Sequence, residues 1–117
     1  MAYDEDLARR VRAVLPQGEA ITERQMFGGL TFMLGGHTLC GVVKDALMVR
    51  LGPEGAGRAL GQPHVRPMDF TGRPMKGMVF VDPAGVQGGA LREWVDAAVG
   101  YARGLPPDRA AGARRRR

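Results

Sequence analysis

The sequence predicts a two-layer α+β fold in the order α-β-β-β-α-β-β-α, with an antiparallel sheet. Three observations carry it. Apolar stripes at helical spacing occur near both ends of the chain, at Leu7, Val11, Val14 and Leu15 and again at Leu91, Trp94, Val95, Ala98, Tyr101 and Ala102. Between them lie short apolar runs separated by glycine and proline turns. Those turns are too short for the crossovers that parallel neighbours need. Helices segregated from a run of strands pack on one sheet face.

The first helix is expected over Asp4 to Leu15, ended by Pro16-Gln17-Gly18. Asp4, Glu5 and Asp6 crowd its positive end, and Glu5–Arg9 and Asp6–Arg10 have i,i+4 spacing. Arg24 to Leu34 reads as one strand interrupted by Gly28-Gly29. A glycine pair inside a strand marks either a bulge or a close approach by a ligand or second chain. Gly35-Gly36 is a hairpin turn, Leu39 to Val43 the second strand and Ala46 to Leu51 the third. Pro53-Glu54 opens a short helix whose buried side would be Ala56, Ala59 and Leu60. Val65 to Phe70 is the fourth strand; Pro67 cannot donate to a ladder, which makes this strand an edge or irregular at its start. Met75 to Val81 is the fifth. Leu91 to Tyr101 is the last helix, with Trp94 read as its core anchor. The helices would cover one face of the sheet and leave the other open.

Length and composition add limits. The chain of 117 residues suits one domain with a modest core. No run approaches the ~20 apolar residues that span a bilayer. The acidic N-terminus lacks a signal-peptide pattern. The single cysteine, Cys40, cannot form an intrachain disulfide and fits a reducing cytoplasm. The net charge of +5 is concentrated in Arg114 to Arg117; without those four of the 17 basic residues, 13 face 12 acidic ones. The folded part is expected over residues 3–106, and 107–117 as a disordered arginine-rich tail able to attract nucleic acid or an acidic surface.

Candidate chemistry concentrates between His64 and Gly77. Two Arg-Pro-Met triplets, Arg66-Pro67-Met68 and Arg73-Pro74-Met75, flank Asp69, Phe70, Thr71 and Gly72, with Lys76 beside them. Each proline stiffens the arginine before it into extended geometry. Arg24, Gly28, Gly29, Arg66, Arg73 and Lys76 are therefore candidate binding residues for phosphate or acidic protein groups. Arg50 and Asp69 are a candidate structural ion pair. His37, His64, Cys40 and Asp69 lack metal-ligand spacing, so no metal or other cofactor is expected. Cys40 in an apolar strand reads as a buried hydrophobe, not a nucleophile. No phosphate loop, zinc finger, RNA-recognition motif or helix-turn-helix is present.

Met26-Phe27-Gly28-Gly29, Gly41-Val42-Val43, Leu47-Met48-Val49-Arg50, Pro63-His64 and the run Arg66 to Gly77 resemble the N-terminal domain of the TfoX/Sxy competence-regulator family. Trp94-Val95, Tyr101 and Leu105-Pro106 extend the resemblance across residues 3–106. It implies a stand-alone N-terminal domain of a bacterial cytoplasmic protein with the fold order given above. It also implies regulation of the transcription or competence type, without catalysis, through contact with protein or nucleic acid. The family offers no catalytic residues to transfer. The alternative is a small anionic-ligand-binding domain or minor enzyme using the Gly28-Gly29 and Arg66–Lys76 region. A homodimer through a sheet edge is compatible with both.

Overall fold

A computed structural model describes the backbone of residues 3–16, 21–26, 28–70 and 73–105. It describes their side chains except at positions 26, 68–70 and 73–76. Helix α1 (Glu5–Val14) begins at Asp4, whose carboxylate accepts hydrogen bonds from the backbone N–H groups of Asp6, at 2.9 Å, and Leu7, at 3.1 Å. Those are donors that the first helical turn otherwise leaves unpaired. Leu7, Ala8 and Val11 point inward. The expected Asp6–Arg10 pairing is replaced: Arg9 binds Asp6, and Arg10 donates to the Val86 carbonyl at 2.5 Å. A tertiary acceptor has won over the local partner.

Strands β1 (Ile21–Met26), β2 (Gly29–Leu34), β3 (His37–Val43) and β4 (Ala46–Arg50) form a meander. The interrupted first strand of the sequence reading is thus two strands. Met26 pairs with Gly29, so the chain reverses there instead of bulging. Gly28 has φ +74, the left-handed geometry that tight hairpin turns require and glycine supplies without strain. Gly29 has a different reason. A Cβ on it would collide with the Val42 carbonyl of β3, so this glycine is explained by the approach of the chain's own backbone.

Helix α2 (Gly52–Ala59) follows, with proline in its first turn. Strands β5 (Val65–Phe70) and β6 (Arg73–Val81) complete one antiparallel sheet in the order β1-β2-β3-β4-β6-β5. Strand β5 is an edge, and its register shifts between Pro67 and Asp69, as a proline that cannot donate demands. A short 3-10 turn (Pro83–Val86) leads into helix α3 (Ala90–Arg103).

Alternation along the strands separates two apolar clusters. Cys40, Val42, Leu47, Val49, Val79 and Val81 share the face covered by helices and pack with Val11, Val95, Ala98 and Val99. Ala46, Met48, Met78 and Phe80 point the other way. That second face is not left open, because Met48 is fully buried and Met78 and Phe80 nearly so. Leu60 departs from its expected place in the core: it lies beyond the end of α2, 43% exposed. Among the described residues no helix is long and apolar enough to cross a membrane.

Candidate functional site

The expected binding residues do not converge among the described side chains. Arg24 is exposed on β1 and Arg66 on β5, the two edge strands, with the other four strands between them. Gly28 is exposed at the β1–β2 hairpin, and Gly29 is buried behind it. The side chains of Arg73 and Lys76 lie outside the described residues. So does that of Asp69, and with it the expected Arg50–Asp69 pair; the Arg50 guanidinium lies 5.7 Å from the centre of the Tyr101 ring.

Arg66 is the best defined of the candidates. Its Nε and Nη2 both approach Asp82 Oδ1 at 2.8 Å, and its guanidinium sits 5.2 Å from the centre of the Phe80 ring. Its charge is therefore already answered by a carboxylate, and its plane is held against an aromatic ring. A free anion would have to compete with Asp82.

Cys40 is enclosed on the helix-covered side, and burial pushes its thiol up to about 12. A thiol so shielded stays protonated at neutral pH and is no nucleophile. Among the described residues no group of three His, Cys, Asp or Glu side chains could hold a metal ion.

The concave surface with the most developed chemistry lies beside α3. Leu91, Val95, Ala98, Val99 and Ala102 face the core, which turns Ala90, Trp94 and Ala97 toward α2 and the segment after it. Trp94 is half-buried: it packs against the main core, and its Nε1 donates to the Gly85 carbonyl at 3.1 Å. Two clefts meet at its ring. One, about 420 Å³, is bounded by Pro63, His64, Ala84, Gly85, Ala90 and Glu93. The other, about 280 Å³, is bounded by Leu51, Gly55, Arg58 and Ala59. Gln62, Trp94 and Ala97 line both, so the two clefts form one groove. His64 at its lip has φ +70, unusual for a residue with a side chain, and its carbonyl accepts the Asp82 N–H at 2.8 Å. Ala59, Ala84, Ala90, Ala97, Gly55 and Gly85 keep the walls low, and Gln62 and His64 add polar groups. Arg58 at one end and Glu93 at the other leave the rim close to neutral.

The sequence reading assigned Trp94 to the core alone. It missed that Trp94 is only partly buried and also lines two clefts with Ala90, Ala97 and Gly85. The available signal was the exposed-side spacing of Ala90 and Ala97 about Trp94, where a helix turned wholly to solvent would carry charges. A third cleft, about 450 Å³, lies between the end of α1 and α3, near Pro16, Arg92, Asp96 and Arg103.

These features belong to a known class of small α+β module. The family model described as TfoX N-terminal domain matches residues 13–102, and the chain belongs to that family. No curated protein and no solved structure matches the chain.

Proposed function

We propose that the chain is a non-enzymatic bacterial regulatory module of the cytoplasm, serving transcription- or competence-type regulation, and that it acts by contact with another protein. The observation that carries the reading is the Trp94 groove. A partly exposed tryptophan flanked by alanines and Gly85, with Gln62 beside it, is the kind of surface that accepts a protein side chain, since buried aromatic anchors dominate such contacts. Its near-neutral rim does not suit a phosphate backbone, which is held by clustered lysine and arginine. Membership of the TfoX N-terminal domain family agrees with a regulatory role. The shielded thiol of Cys40 and the neutralised charge of Arg66 argue in the same direction against a covalent or anion-binding site.

A second reading, direct contact with nucleic acid, is favoured by one feature, the run Arg114 to Arg117. The two readings separate in one experiment. Anisotropy with a mixed nucleic-acid pool, across a salt series, is measured on the full chain and on a full-length variant with all four terminal arginines replaced by alanine. The expected result is that any binding falls steeply with salt and disappears in the variant. Undiminished binding by the variant would make the folded part a nucleic-acid binder and overturn the protein-contact reading. A photo-crosslinking amino acid at Ala97, used in cells, is expected to give a discrete protein adduct.

A further inference from the structure

We propose that the groove's occupant is a second copy of this chain, joined by a two-fold axis that seats Leu60 of each copy over Trp94 of the other. The inference rests on the protein-contact reading of the groove and goes further by naming the partner. A two-fold interface uses the same patch on both copies, so that patch must hold both a projection and a recess that receives it. This surface holds both. Leu60 is the exposed large hydrophobic residue among those described, at 43%. It follows Ala59 and precedes Gln62 by two positions, and both of those line the groove. Leu60 itself lines neither cleft, so the projection stands at the border of the recess.

The charges obey the same rule. Arg58 lies on the Leu60 side of the groove and Glu93 on the far side. Neither makes an ion pair among the described residues. Exchange about a two-fold axis brings Arg58 of each copy to Glu93 of the other, giving two equivalent pairs around two buried leucines. Opposite charges placed this way fix register and disfavour the reversed arrangement. The apolar contact supplies the driving force, through removal of Leu60 and Trp94 surface from water. The sequence reading allowed a homodimer through a sheet edge; the α2–α3 surface fits one better, because β1 carries exposed polar residues from Thr22 to Gln25 and β5 carries Pro67.

The test is sedimentation equilibrium of the full chain, with Trp94 emission followed on dilution. Trp94 is the single tryptophan, so its fluorescence reports the groove directly. The expected result is a reversible dimer whose emission shifts as it dissociates. Leu60→Asp, at an exposed position that leaves the fold intact by circular dichroism, is expected to weaken association by at least about tenfold. Arg58→Glu and Glu93→Arg are each expected to weaken it about three- to tenfold, and the double variant to regain most of that loss. A monomer at all accessible concentrations, or a double variant no tighter than the singles, overturns the proposal. Crosslinks from Ala97 to a different protein by a monomeric chain would overturn the dimer and keep the protein-contact reading. A monomer that crosslinks to nothing would remove both.

Discussion

The two faces of the sheet are closed by different materials and edged by the same device. On the helix-covered face the deepest residues are Phe32, Leu39, Leu47 and a set of valines from α1, α3 and the strands, all with essentially no exposure. On the other face the cluster is Ala46, Met48, Met78 and Phe80. Branched aliphatics suit a surface where two rigid layers meet, because their few rotamers interlock. Methionine adapts to irregular gaps. Each face nevertheless ends in a phenylalanine with an arginine over it and a carboxylate holding that arginine. Arg12 lies 5.9 Å from the Phe32 ring and binds Glu23 at 2.7 and 2.9 Å. Arg66 lies over Phe80 and binds Asp82. The comparison separates what carries stability, the packed layer, from what finishes its rim, an exposed ion pair that also covers apolar surface.

The sharpest way to break that comparison is to perturb each face in turn. Phe32→Ala is expected to cost about 3–5 kcal/mol, read from urea unfolding, because a closely packed layer cannot collapse into the cavity. Met48→Leu is expected to cost less than about 1.5 kcal/mol, since it preserves volume in a region built to adapt. Equal losses would show that the second face is packed as rigidly as the first. The smallest effect belongs to the rim. The hydrogen bond from Arg12 holds the Glu23 carboxyl below its ordinary value, against a weaker opposing pull from burial. A depressed carboxylate pKa stabilises the fold above the unfolded-state value, and that contribution is lost as pH falls through the folded value. Because both side chains are more than a third exposed, the pair is expected to contribute only a few tenths of a kcal/mol. Glu23→Gln should therefore lower stability slightly at pH 7, and the difference from the parent should shrink as pH falls below the ordinary carboxylate range and vanish once it passes the lowered folded-state value. A difference that persisted in acid would mean that Glu23 acts through packing and not through charge.

Most of the fold was legible in the residues. The helical stripes, the Gly35-Gly36 turn, the proline that opens α2 and the edge position of the Pro67 strand all follow from local rules, and the structure agrees. The split of Arg24 to Leu34 into two strands was not legible. Gly28-Gly29 suits a hairpin and a bulge alike, and the choice depends on Ile21 to Met26 finding β2 as a partner. The candidate site was read less well. Arg66 stood out as a rigid cation, but its neutralising partner, Asp82, is sixteen residues away and faces it only through the pairing of β5 with β6. Trp94 looked like a core residue because its helical stripe does point inward. Its exposed edge became visible only once α2 and the turn at Gly85 stood on either side of it.

By itself the sequence determined where helices and turns fall and which residues must be hidden. It also determined that the basic charge is concentrated at residues 114–117. These depend on period, on proline and glycine backbone limits and on composition, all of which act over a few neighbouring residues. The tertiary structure decided what the exposed remainder faces. It set Leu60 outside the core beside a groove that Trp94 shares, and it spent the charges of Arg66 and Arg12 on carboxylates of other elements. Those outcomes depend on which strand lies next to which, a relation between distant segments that no local pattern encodes.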